Sequence, residues 1–382
     1  MVSVKSEDLS LPYIALDNIV SWDAQFIPSE STTDGNSNEC EPGDVLFGKL
    51  RPYLAKAFIP TVKSICSPEF LVMRPNKGTH NKFMLYFFLS KSFIAYIRNQ
   101  VAGTKMPRTK WSDLGSVSFM LPTIDEQEAI AAYLDRECEK IGQQIELLER
   151  KADAYKRLRR SIINRAVTRG LNPNTPLKPS GLRWNTYIPE NWSVGRIRNY
   201  FEFRNEKVSE IDYAPLSVTK NGVVPQMDNV AKSMAEGDTR KKVCKDDFVV
   251  NSRSDRKGSC GTSPMDGSVS LIYIVLKPTQ INPKFADYYF RCNDWVEEFY
   301  RNGKGIVADL WTTNYAIMRN IEIAVPPYIE QQQIAAYLDE KCGKIDAIIE
   351  KIGTQVERLK ELKRSLINEV VTGKRAITTC KP

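Results

Sequence analysis

Residues 121–135 read LPTIDEQEAIAAYLD, and residues 325–339 read VPPYIEQQQIAAYLD. The offset between them, 325 minus 121 or 204, holds without a gap to RSIINRAVT (160–168) and RSLINEVVT (364–372). So long a period excludes a solenoid, whose repeats run to roughly 20–50 residues. It describes a duplicated unit, one globular module followed by one helix. In the first copy the apolar positions are Ile130, Leu134, Cys138, Ile141, Ile145 and Leu148, continuing to Leu158 and Ile162. In the second they are Ile334, Leu338, Cys342, Ile345, Ile349 and Ile352, continuing to Leu362 and Leu366. The steps are mostly alternating threes and fours, the coiled-coil period. Pro122 and Pro326 precede the two patterns, where proline can lead into a helix. About 40 helical residues at 1.5 Å each predict rods of about 60 Å. A seam of that length needs a cover, and the simplest cover for one helix is the other. Leu134, Ile141, Ile145 and Leu148 of the first helix and Leu338, Ile345, Ile349 and Ile352 of the second are therefore expected to line the interface of the helix pair.

Charge selects the orientation. Residues 121–149 carry eight acidic and two basic side chains, and residues 150–170 carry one acidic and eight basic. The second copy has five acidic and two basic over 325–350, then three acidic and seven basic over 351–375. Each sign suits its own end of the helix dipole. Antiparallel pairing sets acidic halves against basic halves, so an antiparallel pair is predicted. The plainer alternative is a helix hairpin inside a compact bundle.

The helices are separated by a proline- and glycine-rich linker, Gly170 to Gly181, and by a second module. The two modules are faintly alike. Gly43-Asp44-Val45-Leu46-Phe47-Gly48 precedes a basic loop, as Asp246-Asp247-Phe248-Val249-Val250-Asn251 does, and Tyr86-Phe87-Phe88 matches Tyr288-Tyr289-Phe290 in a short amphipathic helix. Ser268–Leu276 and Val117–Leu121 read as strands. The expected fold class is α+β: two globular α/β modules, two long antiparallel coiled-coil helices and an internal pseudo-twofold repeat.

The chain has 382 residues, of which 42% are hydrophobic and 26% charged, so it is globular rather than disordered, and its length predicts two or three domains. No run of about 18 apolar residues and no apolar leader segment is present, which predicts neither a membrane partner nor secretion. Eight cysteines without a C-x-x-C pair give no zinc spacing and read as reduced thiols of the cytoplasm. The net charge of +8 permits a polyanion partner without demanding one.

Catalytic chemistry finds little support. The single histidine, His80, lies in a polar turn and reads as a solvated loop residue. No G-x-x-x-x-G-K-[ST] or G-x-G-x-x-G is present. Asp125, Glu126 and Asp135 read as a solvated, dipole-favoured helix start. Val325-Pro326-Pro327-Tyr328 is similar to the Asn/Asp-Pro-Pro-Tyr of amino-methyltransferases, but valine has no acceptor for an amine, so a helix lead-in is the better reading.

Nucleic-acid contacts are better supplied. The first module offers Lys49, Arg51, Tyr53 and Lys56 in one loop and Lys105, Arg108 and Lys110 in another. The second offers Lys220 and Asn221, then Asn251, Arg253, Arg256 and Lys257, then Lys304. Arg and Lys can read guanine, Asn can read adenine, and all can hold phosphates. Any one such cluster is usually a solvated loop; matching placement in two modules strengthens the functional reading.

The twice-present pattern P-x-x-x-E-Q…I-A-x-Y-L-D…K-I…R-S-[IL]-I-N-x-x-V-T, with the loop GDVLFGKLRPYLAK (43–56), resembles the specificity subunit of type I restriction–modification systems. The resemblance implies a first target-recognition domain over 1–120, a long helix over 121–170, a linker over 171–181, a second target-recognition domain over 182–324, a second long helix over 325–376 and a tail over 377–382. It also implies a non-catalytic subunit that reads a bipartite double-stranded DNA target. Such a subunit docks methyltransferase subunits, two of them expected, and whether restriction subunits join them is left open. The chain itself would hold no metal or cofactor; S-adenosylmethionine, ATP and magnesium would bind the partners. One departure stands out: the second module opens with Tyr187 to Arg198, and the first, beginning almost at Tyr13, has no counterpart. The first recognition domain is therefore expected to be shortened at its start, and whether it reads DNA is left open. Two other readings remain at this level, a stand-alone DNA adenine methyltransferase and a coiled-coil scaffold or silent cassette that binds no DNA.

Overall fold

A computed structural model describes residues 11–29, 37–100, 106–226, 237–305 and 311–377. The chain divides into two compact units, Met1–Arg150 with Lys351–Pro382, and Lys151–Glu350. Each unit holds one module and about half of each long helix.

The first unit begins with β1 (Tyr13–Ile14), β2 (Asn38–Cys40), β3 (Val45–Gly48), β4 (Ala57–Phe58), β5 (Ser64–Cys66) and β6 (Phe70–Met73). Short helices α1 (Asn81–Phe88), α2 (Lys91–Gln100) and α3 (Trp111–Gly115) follow, then the long α4 (Ile124–Arg169). β3 lies between β4 and β6, antiparallel to both, and β5 lies between β1 and β2. β3 and β6 are apolar without alternation because both faces are covered. Val45, Phe47, Leu71 and Met73 face the helices, while Leu46, Phe70 and Val72 face Ile14, Ile19 and Cys66.

The second unit is richer. It contains β7 (Leu177–Pro179), β8 (Tyr187–Pro189), β9 (Ser193–Arg196), β10 (Phe201–Arg204), β11 (Lys207–Val208), β12 (Leu216–Thr219), β13 (Gly222–Pro225), β14 (Arg240–Val243), β15 (Phe248–Asn251), β16 (Cys260–Thr262), β17 (Gly267–Ser270) and β18 (Tyr273–Pro278). Helices α5 (Pro283–Phe290), α6 (Asn293–Arg301) and α7 (Tyr315–Met318), strand β19 (Glu322–Val325) and the long α8 (Tyr328–Val371) complete it. Its central sheet runs β10-β18-β15-β16. β15, β16 and β18 repeat β3, β4 and β6. β10 has no counterpart among the described residues of the first unit, and neither has the β9–β19 pair.

Two expectations about strands are corrected. Ser268–Leu276 is two strands, β17 and β18, broken by the exposed Leu271-Ile272 turn. Val117–Leu121 is not a strand at all. Its counterpart β19 is one because β9 pairs with it, and nothing described in the first unit plays the part of β9.

The long patterns fold as uninterrupted helices of 46 and 44 residues. Thr123 and Glu126 form a capping box at the start of α4, the Thr123 N–H donating to Glu126 Oε2 at 2.9 Å, and this bond holds the Glu126 carboxyl below its ordinary pKa. Gly170, at φ +74°, ends it in the left-handed conformation that favours glycine. The helices are antiparallel in both units. In the first, Ile130, Leu134, Cys138 and Ile141 share a core with Leu366, Ile367 and Val370. In the second, Ile163, Ala166 and Val167 share one with Ile334, Ala335, Leu338 and Cys342, and Arg159 meets Asp346 at 3.0 Å. Ile345 and Ile352 are buried, and Ile145, Leu148 and Ile349 half-buried.

Leu158 and Leu362 depart from the expected seam. They are equivalent by the 204-residue offset and 47% and 53% exposed, while Ile163 and Ile367 take the buried face. A straight helix has 3.6 residues per turn, so a strict 3.5-residue seam drifts by about 20° per heptad and the inward positions slip by one. The buried face also meets each module's own core, so the pair is not a free-standing two-stranded coil.

The polar residues of the repeat fasten helix to module. Gln127, fully buried, donates from Nε2 to the carbonyls of Pro122 and Gly78 at 2.9 and 3.1 Å and accepts the His80 N–H at 2.8 Å. Gln331 donates to the Pro326 carbonyl at 2.9 Å and accepts the Asn282 N–H at 2.7 Å. Asp135 accepts Lys82 Nζ at 2.5 Å and Tyr86 Oη at 2.7 Å; Asp339 accepts Lys284 Nζ and Tyr288 Oη, both at 2.9 Å. Burial, reinforced by the bond to aspartate, pushes both phenols above their ordinary pKa. Asp135 is thus a latch rather than the solvated carboxylate expected, and His80 is a half-buried residue just ahead of α1.

Candidate nucleic-acid interface

Each module turns a sharp corner at the end of its central strand. After β3 the chain passes through Lys49 and Leu50 to Arg51, whose φ of +49° is uncommon for a side-chain-bearing residue. The corner is held by a second loop. Leu50 bridges Arg108, the Arg51 N–H donates to the Pro107 carbonyl at 2.8 Å, and the Thr109 N–H donates to the Lys49 carbonyl at 3.0 Å. Two basic stretches more than 50 residues apart in sequence thus become one surface.

The second module repeats the device. After β15, Arg253 bridges Thr312, Thr312 bridges Lys304, and the Thr313 N–H donates to the Ser252 carbonyl at 2.9 Å. The equivalence is positional to within one residue, since 312 minus 108 is again 204 and 253 minus 50 is 203. α6 braces the loop: Tyr300 Oη reaches the carbonyls of Asn251 and Arg256 at 3.1 and 3.3 Å, and Lys257 pairs with Glu297 at 2.6 Å. Gly303 suits the close approach here, because a Cβ would make tight contacts at 3.0 Å with the Tyr300 carbonyl and 3.2 Å with Thr313 Oγ1.

In the first unit the structure brings together Lys49, Arg51, Tyr53, Arg108 and Lys110. Arg51, Tyr53 and Lys110 are exposed, and neither Arg51 nor Lys110 has a carboxylate partner among the described residues. Lys49 Nζ donates to the Pro68 carbonyl at 2.6 Å. Arg108 is forked onto Glu69 at 3.1 and 3.2 Å, and that bond raises its pKa further. Lys56 is occupied elsewhere: its ammonium donates to the Leu16 carbonyl at 2.7 Å and lies 3.8 Å from Asp17. Lys105 falls outside the described residues.

In the second unit Arg253, Arg256, Lys257 and Lys304 come together and are exposed. Arg253 and Arg256 each stand 3.8 Å from Asp255 between them, a loose arrangement in which both guanidiniums keep free donors. Asn251 is buried; its Oδ1 accepts the Arg253 N–H at 3.0 Å, so it shapes the loop instead of offering its amide to a partner. Lys220 and Asn221 occupy the β12–β13 turn and are exposed, with the Lys220 carbonyl accepting Arg291 Nη2 at 3.3 Å. The sequence reading passed over Thr312 and the exposed Trp311; an aromatic residue next to a basic stretch was the available signal. No group of His, Cys, Asp or Glu suited to a metal ion occurs among the described residues, and no described helix is long and apolar enough to cross a membrane.

Residues 25–150 match the family model of the type I restriction modification DNA specificity domain. The chain is 20% identical over 387 residues to the type I restriction enzyme StySPI specificity subunit of Salmonella potsdam, covering 96% of this chain and 83% of that one. It is 26% identical over 129 residues to the EcoDI specificity subunit of Escherichia coli, a match that spans only 28% of that protein. Among solved structures, a chain from a study of complex assembly and conformational transition of the type I R-M system superposes with a TM-score of 0.72 at 17% identity, covering 98% of this chain and 96% of that one. The HsdS subunit from Thermoanaerobacter tengcongensis superposes with a TM-score of 0.51 at 17% identity, covering 98% and 95%.

Proposed function

We infer that this chain belongs to the DNA-specificity subunits of type I restriction–modification systems, and that each module reads one half of a split duplex target. The observation that carries the reading is the same corner built twice. In both modules the loop after the central strand is bridged to the loop before the last short helix, and both corners present exposed cations. A duplicated basic surface on a duplicated scaffold suits a ligand that is itself a repeating polyanion.

The side chains sort by role. Arg51 and Arg253 stand at the two corners and are the best placed for base edges, because a guanidinium can meet guanine O6 and N7 together. Lys49, Lys110, Arg256, Lys257 and Lys304 surround them as phosphate contacts that set position. Tyr53 and Trp311 add apolar faces. The chain supplies recognition and docking and no chemistry of its own. Methyl transfer with S-adenosylmethionine and ATP-dependent restriction belong to partner subunits, which the long helices engage.

Duplex binding by the chain with its methyltransferase partner tests this. Binding should be sequence-selective and weaken steeply with salt, and Arg51→Ala and Arg253→Ala should each relax selectivity at one half-site, costing about 1–3 kcal/mol. Absence of any duplex preference with the partner present would overturn the reading in favour of a scaffold without a DNA role. Methyl transfer by the chain alone would overturn it in favour of an enzyme.

A further inference from the structure

The two units present one segment in two states. In the second, β19 pairs with β9 in full register, Glu322 opposite Arg196 through to Val325 opposite Ser193, and Ile323, Ala324 and Val325 are at most 3% exposed. The counterpart 204 residues earlier is Ser118-Phe119-Met120-Leu121. No described strand pairs with it, and Phe119, Met120 and Leu121 are 41%, 93% and 47% exposed. Two neighbouring groups show the same contrast. Glu330 accepts Asn191 Nδ2 at 2.8 Å and Trp192 Nε1 at 3.1 Å, whereas its counterpart Glu126 is exposed and among the described residues bonds only to Thr123 of its own capping box. Tyr315 stacks on Phe203 of β10 at 4.0 Å and 9°, whereas its counterpart Trp111 is exposed. At these three places, the strand segment, the glutamate and the ring, what residues 191–203 cover in the second unit is exposed in the first.

We propose that the 117–121 segment of the first unit, with Trp111 and Glu126, is a docking site for an extended polypeptide segment of the type carried by residues 187–204. The occupant adds a strand along Phe119–Leu121, brings an indole N–H to Glu126 and lays an aromatic ring on Trp111. The segment Val117 to Leu121 has no charged side chain, so main-chain pairing and apolar contact are its means of recognition, the mode of strand addition at an open edge. A buried strand partner in one copy and an unpaired, apolar, strand-period segment in the other, held only by the stacking of Phe119 on Phe87 at 4.2 Å among the described rings, point to polypeptide rather than nucleic acid as the occupant. The inference does not depend on DNA reading.

The test uses the full chain and a fluorescent peptide of residues 187–204. Anisotropy should show saturable binding, and bound peptide should protect Met120 from peroxide oxidation as read by mass spectrometry. Met120→Lys in the chain and Trp192→Ala in the peptide should each weaken binding by about tenfold. Both substitutions lie outside the core of the first unit, so its fold is retained and circular dichroism verifies it. No saturable binding, or binding indifferent to both substitutions, overturns the proposal. A dimer of the chain that Met120→Lys dissolves also overturns it, since a second copy would then be the occupant.

Discussion

Gln127 and Gln331 show how a repeat survives at the level of one side chain. Each amide closes a ring of buried backbone groups between the helix start and the module: an N–H from the residue before α1 or α5, and a proline carbonyl of the helix lead-in. Replacing Gln331 with Leu keeps the volume but strands the Asn282 N–H, and should cost about 1–3 kcal/mol in urea unfolding. The buried Asp44 and Asp247 show the opposite, one need met from two places. Asp247 is forked by Arg204 of β10 at 2.6 and 3.2 Å, and Asp44 by Arg74, just past β6, at 2.8 and 2.9 Å. Arg204 is mostly buried and Arg74 half-exposed. Asp247→Ala should therefore cost about 3–5 kcal/mol, the range for removing one partner of a buried pair. Asp44→Ala should cost clearly less, because Arg74 can turn into water. Equal losses in parallel unfolding curves would contradict this.

At the scale of elements, the helix seam follows the physical period of the helix rather than the ideal one. Leu134 and Leu338 are fully buried, so truncation to alanine should cost about 2–5 kcal/mol at each. Leu158→Ala and Leu362→Ala should stay within about 0.5 kcal/mol, as for surface positions. A loss at Leu158 comparable to that at Leu134 would show that the seam does not drift. The orientation argued from charge is realised chiefly through apolar contact. The interhelical pair Arg159–Asp346 is partly exposed and should contribute only about 0.2–1 kcal/mol in a double-mutant cycle. The Val117–Leu121 strand is the instructive miss. Its sequence is a strand's sequence, but a strand needs a partner, and in this unit none is described.

For the molecule as a whole, two units with separate cores imply two separable readings of DNA. Arg51→Ala with Lys110→Ala should lower the salt dependence of binding by about two counterions while leaving selectivity for the other half-site intact. Arg253→Ala with Arg256→Ala should do the same in reverse. Binding isotherms over a salt series on targets altered in one half at a time would check both, and a loss of selectivity in both halves from one pair of substitutions would refute independence. The basic stretches were legible as clusters, but their grouping was not: Lys56, Asn251 and Arg253 read alike in sequence, and only Arg253 is left to face a partner.

The duplication, the two long helices and their antiparallel sense were written in the sequence, and they rest on direct repetition, periodicity and charge balance, which survive without coordinates. The likeness to type I specificity subunits was legible too, in the motif that the repeat carries. The tertiary structure decided which residues of the repeat bury and which latch. It joined each post-strand loop to its distant bridge and left one copy of an identical position covered and the other bare. Those outcomes depend on which groups meet across long stretches of chain, and a local pattern carries no information about a partner that lies 60 or 130 residues away.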